Sequence, residues 1–160
     1  KSNGVSGLMT AELSSEEVIE LLGLEPLPEE GGMWTRTLYD GKSSAIYYLL
    51  RRNDFSAMHR LVGDEIYHHY SGGPVEMLLL HPDGSHSTPI LGPDLKNGHR
   101  PQLIVPKGVW QGSLTLGDWS LVGTTMAPPY EDDDFELGDR EFLKTGWPKA
   151  SSRIGELTRE

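Results

Sequence analysis

The residue types with chemistry to offer gather in one stretch. His59-Arg60 is followed by Glu65-Ile66-Tyr67-His68-His69, so imidazoles, a carboxylate and a phenol lie close together in the chain. A histidine paired with a carboxylate in a cleft can move a proton to or from a bound molecule, which makes His59 and Glu65 the first candidates for catalysis. The plainer alternative is a histidine held in place by a hydrogen bond to Glu65. In an extended segment alternate side chains share a face, which puts Glu65, Tyr67 and His69 together and Ile66 and His68 opposite. His68 and His69 therefore cannot chelate one metal as neighbours. By the same alternation Gln111 shares its face with Ser113 and Thr115.

A second group suits recognition. Arg51, Arg52 and Arg60 offer planar donors to a phosphate or carboxylate, although alternation lets only one of Arg51 and Arg52 turn inward. Trp110, Tyr48 and Tyr67 could stack on a ring, or simply fill a core. The candidate ligand-binding residues are thus Arg60, His69, Gln111, Arg51 and Trp110. Surface ion pairing is the bland alternative for the arginines.

The elements that must carry these residues are mostly strands. Ser14-Ser15-Glu16-Glu17 has capping-box spacing and leads into Val18, Ile19, Leu21 and Leu22 before Gly23, predicting one short helix. Pro26, Pro28 and Gly31-Gly32 end that character. The runs 35–39 and 45–50 flank Asp40-Gly41 and predict a hairpin. Further strands are expected at 57–61, 65–70, 75–80, 87–91 and 102–105. The runs 110–116 and 119–126 flank Gly117-Asp118, which predicts a second hairpin. Regular spacing of short strands means a sandwich or a barrel. The acidic run Glu131 to Asp134 reads as a solvated face, and residues 139–143 as one helical turn. The expected layout is a leader at 1–12, a single domain at 13–146 and a loose polar tail at 147–160.

Bulk properties narrow the classes. The 160 residues carry a net charge of −10, which disfavours polymeric nucleic acid, since that binding depends on neutralising phosphates. An anionic ligand would need a local basic pocket. Nineteen glycines and 11 prolines, dispersed along the chain, suit tight turns. Cysteine is absent, which excludes disulfides and thiolate metal sites within this sequence. No apolar run approaches the roughly 20 residues of a membrane span, and a cytoplasmic location is the expectation.

The segment His59-Arg60-Leu61-Val62-Gly63-Asp64-Glu65, with Gly72 beyond it, resembles the first cupin motif. His59 takes the first histidine position and Glu65 the glutamate, while Leu61 stands where a second histidine is usual. Pro106-Lys107-Gly108-Val109-Trp110-Gln111 resembles the second motif, with Gln111 in place of its histidine. Together with Asp64-Glu65-Ile66-Tyr67-His68, Leu121-Val122-Gly123 and Asp134-Phe135-Glu136, these segments are similar to the cupin-5 family from about Ser14 to about Phe142. The resemblance implies an all-β double-stranded β-helix barrel (a jelly roll), with His59, Glu65, Tyr67, His69 and Gln111 inside, paired into a homodimer through its outer strands.

Two of the usual metal ligands are missing, so no cofactor is expected. The remaining metal alternative is an oxygenase or isomerase using His59, Glu65 and His69. The ligand expected first is small and anionic or sugar-like, such as a nucleoside diphosphate or nucleotide sugar. Likeness of barrel type to dTDP-sugar epimerases implies a histidine base and a tyrosine acid, roles open to His59 and Tyr67. A non-catalytic binding or structural module is the third reading.

Overall fold

The computed structural model describes residues 13–159. The expected leader at 1–12 lies outside them. Helix α1 (Ser15–Leu22) starts as its sequence predicts: the Ser14 hydroxyl accepts from the Glu17 N–H, and the Glu17 carboxylate accepts from the Ser14 N–H. Gly23 closes it in the left-handed conformation, φ 68°.

The strands that follow are β1 (Glu25–Pro26), β2 (Met33–Tyr39), β3 (Ser44–Arg51), β4 (Ser56–Arg60), β5 (Glu65–Gly72), β6 (Val75–Leu80), β7 (His86–Ser87), β8 (Ile90–Leu91), β9 (Gln102–Val105), β10 (Trp110–Thr115), β11 (Trp119–Met126) and β12 (Glu136–Leu137). Strands β2 and β3 form the expected hairpin, with Tyr39 opposite Ser44. Its turn is held by Asp40, whose carboxylate accepts from the backbone of Lys42 and Ser43. Those two donors also lower the pKa of Asp40 from its ordinary value.

Two antiparallel sheets face each other. One runs β1-β2-β3-β11-β5-β9 and the other β12-β4-β10-β6-β7, with β8 also pairing β6. Between them pack Tyr48, Leu50, Tyr67, Val75, Met77, Leu79, Val105 and Val122. The second hairpin is corrected by this topology. Strands β10 and β11 do not pair: β10 lies between β4 and β6, β11 between β3 and β5. Gly117-Asp118 turns the chain from one sheet to the other, which local turn chemistry cannot distinguish from a hairpin. The strand expected at 87–91 is split into β7 and β8, because Pro89 has no N–H to extend the ladder.

The C-terminal expectation is also corrected. Helix α2 (Arg140–Gly146) and helix α3 (Ser151–Glu156) cover the outer face of the second sheet. Leu143, Ala150, Ile154 and Leu157 are all buried there against Leu78, Leu80 and Trp110. The spacing 150, 154, 157 is a narrow helical stripe, and overall polarity hid it. At the other side α1 covers Leu49 and Leu121 of the first sheet. No helix among the described residues is long and apolar enough to cross a membrane.

Candidate functional site

The site begins with alternation along β4 and β5. On β4, Met58 faces the C-terminal helices while His59 turns into the barrel, where it is only 2% exposed. On β5, Glu65 and Tyr67 point inward and are both buried. The buried Gln111 lies opposite His59 in the β4–β10 ladder, so its side chain projects toward the facing sheet. It crosses the interior: its Nε2 donates to Glu65 Oε1 (3.0 Å), and its Oε1 accepts from the Tyr67 hydroxyl (2.6 Å). This amide bridge locks the two β5 side chains to the opposite wall. A glutamine in the histidine position thus serves as a spacer with both a donor and an acceptor.

His59 is held by the carbonyl of Ala57, 2.7 Å from its Nδ1, and by stacking on Phe135 at 5.1 Å. Donation from Nδ1 to that carbonyl leaves Nε2 as the lone-pair nitrogen. Nε2 stands 3.9 Å from Glu30 Oε1, beyond hydrogen-bond reach. The other Glu30 oxygen accepts from the Ser56 hydroxyl at 2.9 Å.

Burial raises the Glu65 pKa; attraction to His59, when that ring carries its proton, lowers it, and repulsion from Glu30 adds to the rise. Tyr67 is likewise pushed well above the usual phenol range, chiefly by burial. At the mouth, burial and then Asp132 push Tyr130 up to about 12.

These residues line a cavity of about 330 Å³. Its walls include Glu30, Trp34, Tyr48, His59, Glu65, Tyr67, Thr124, Tyr130 and Phe135. The acidic run Glu131 to Asp134, read from sequence as a solvated face, is exposed at Glu131, Asp132 and Asp133, and the segment 130–135 around it lines the cavity through Tyr130, Asp132 and Phe135. Tyr39 donates to Glu131 at 2.6 Å, and the Tyr130 N–H donates to Ser44 at 2.9 Å, tying the segment to the hairpin.

Several expected site residues lie elsewhere. Arg60 alternates outward, pairs with Glu136 at 2.6 Å and stacks over Trp110 at 4.5 Å. Trp110 belongs to the cluster beneath the C-terminal helices. Arg51 sits at the far end of β3, opposite Trp119. Among the described residues no Lys or Arg lines the cavity, so the basic pocket required for an anionic ligand is not formed there. His69 shares the face of Tyr67 but bonds the carbonyl of Gly73 at 3.0 Å and does not reach the cavity. The metal set His59, Glu65 and His69 therefore does not converge, and no group of three His, Asp or Glu among the described residues is arranged to hold an ion. Glu30, Trp34, Tyr130 and Phe135 were missed from sequence because they arrive on loops or from distant strands. The hints were the glycine-rich turn after Glu30 and the presence of Phe135 in Asp134-Phe135-Glu136, one of the segments similar to the cupin-5 family.

A small two-sheet barrel with a polar, enclosed interior of this kind is a cupin. The chain belongs to the Cupin_5 family of the cupin superfamily (DUF985), which matches residues 16–138. A curated relative, the yeast protein "Uncharacterized protein YML079W" of Saccharomyces cerevisiae, is 28% identical over 139 residues, covering 81% of this chain and 69% of its own. Protein SO0799 from Shewanella oneidensis is 34% identical, with a TM-score of 0.85 covering 92% of this chain and 99% of that one. A hypothetical protein from Leishmania major reaches the same TM-score of 0.85 at 23% identity, covering 92% and 100%. The last likeness shows the fold alone.

Proposed function

We propose that the cavity binds a small sugar-like molecule and moves a proton on it, as an isomerase or epimerase does. The carrying observation is His59: a buried imidazole whose Nδ1 is fixed on the Ala57 carbonyl, leaving Nε2 on the cavity wall, in the same cavity as the Glu65 carboxyl whose pKa burial raises. In this reading His59 Nε2 accepts a proton from carbon next to a carbonyl, and protonated Glu65 donates to the carbonyl oxygen, giving an enediol. Returning that proton from His59 to the neighbouring carbon, while Glu65 takes the proton of the hydroxyl that becomes the new carbonyl, yields the isomer and restores both groups. Tyr67 and Gln111 position Glu65 and supply further hydroxyl contacts. Of the ligands expected from sequence, a carboxylate-lined wall supports the sugar-like member over the diphosphate-bearing one.

The test is solvent exchange. Neutral aldoses and ketoses incubated with the protein in deuterium oxide are expected to gain deuterium beside the carbonyl, and His59→Ala and Glu65→Gln are expected to abolish that gain. A sugar that binds by calorimetry but gains no deuterium would refute the proton transfer and leave a binding module.

For the assembly we propose pairing of two copies along the first sheet. Strand β9 presents a free edge with Ile104, opposite Ile66 of β5, 62% exposed, and an open edge of this kind is prone to pairing. Sedimentation equilibrium of the protein and of Ile104→Lys decides this: a monomer in both cases rejects it.

A further inference from the structure

The cavity differs from a plain sugar site in its charge. Four of its lining residues are carboxylic acids, Glu29, Glu30, Glu65 and Asp132, with no Lys or Arg among the described residues that line it. Glu30 is the best placed of them. Its backbone is pinned by the Ala57 N–H at 2.8 Å and by the Arg159 guanidinium at 3.1 Å, both donating to its carbonyl. Its carboxylate uses one oxygen on Ser56 and turns the other toward His59 without a hydrogen bond. His59 itself is nine-tenths buried and more, and its Nε2 is likewise unpartnered at hydrogen-bond distance. Glu30 Oε1 and His59 Nε2 thus face the same space, 3.9 Å apart and without a hydrogen bond between them. A ligand whose cationic N–H donor meets Glu30 while an adjacent C–H faces His59 serves both groups, whereas a carboxylate is repelled by Glu30.

Resting on the site described above, we propose that the ligand carries a protonated amine, as an amino sugar does, and that its ammonium sits on Glu30 Oε1, which leaves His59 Nε2 facing the carbon beside it. The ring hydroxyls then face Glu65, Thr124 and Tyr130. The chain's net charge of −10 attracts such a ligand over longer range.

The experiment is a charge series on a constant ring, read by amide chemical shifts of the isotopically labelled protein. D-glucosamine, D-glucose and D-glucuronate form one series; cyclohexylamine, cyclohexanol and cyclohexanecarboxylate form a second that tests charge without hydroxyls. The expected result is that both amines shift the amides of Glu30, His59 and Thr124 and bind at least about tenfold more tightly than their neutral and acidic counterparts, a difference of about 1.4 kcal/mol. Glu30→Gln, which keeps an acceptor for Ser56, is expected to erase that preference while leaving shifts elsewhere in place. Acids binding as tightly as amines, or neither amine shifting the cavity amides, overturns the proposal. Either of those results alongside deuterium entry into a neutral sugar would sink the amine while sparing the proton transfer.

Discussion

Replacing Leu157 with alanine tests whether the end of the chain is part of the fold. Leu157 is 1% exposed and packs with Leu143, Ile154 and Trp110 against the second sheet. Its carbonyl also accepts from the Met58 N–H at 2.8 Å, next to His59 in β4. Burying a leucine contributes about 1.5–3 kcal/mol by transfer alone, and the cavity left by truncation brings leucine-to-alanine costs to about 2–5 kcal/mol. Helix α3 is short and rests on the surface of a sheet, so it can settle partly into the gap. The expected loss is therefore in the lower half of that range, about 2–3.5 kcal/mol. For a chain of this size that corresponds to a fall in Tm of roughly 4–14 °C. Urea unfolding followed by far-ultraviolet circular dichroism and by tryptophan fluorescence measures it, and Trp110 and Trp147 report from this very cluster. A loss below about 0.5 kcal/mol, the scale of an ordinary surface substitution, would refute the packing argument and restore the loose tail.

The remaining predictions concern the cavity. Arg159 donates to the carbonyls of Glu29, Glu30 and Phe55 and stacks over the Phe55 ring at 4.1 Å, so Arg159→Ala should loosen the turn that presents Glu30; heteronuclear relaxation of residues 29–32 unchanged from the parent would reject this. Gly32→Ala should cost about 2 kcal/mol or more, because its φ is +82° and an added Cβ would fall 2.6 Å from the buried Tyr48 ring; an unchanged urea midpoint would contradict it. Glu65 has a raised folded-state pKa caused first by burial, so its stabilising contribution is present below about pH 4.5, its ordinary value, and is lost as pH rises through the folded value. Glu65→Gln should flatten that decline and gain relative to the parent as pH rises. Parallel stability curves for the two proteins above pH 4.5 would show that burial does not govern this carboxyl.

What the amino-acid sequence determined by itself was local. The capping box at Ser14, the hairpin at Asp40-Gly41 and the longer strand runs follow from short-range sterics and hydrogen bonding and form where expected, whereas the run 87–91 is split at Pro89. Alternation correctly put Glu65 and Tyr67 on one face, and the motif positions of His59 and Gln111 led to the same interior. Alternation also carries the error for Arg60, since a neighbour of an inward His59 in an extended strand must point out. Only the tertiary structure decided which ends of those strands meet. His69 shares a face with Glu65 yet lies too far along β5 to join it, a distance that face-sharing cannot convey. Glu30, Tyr130 and Phe135 enter the cavity because sheet pairing and the C-terminal cover bring residues some 30 to 130 positions apart into contact, as Arg159 does with Glu29 across 130 positions. Such contacts depend on the closure of the whole barrel, and no local preference of either partner encodes them.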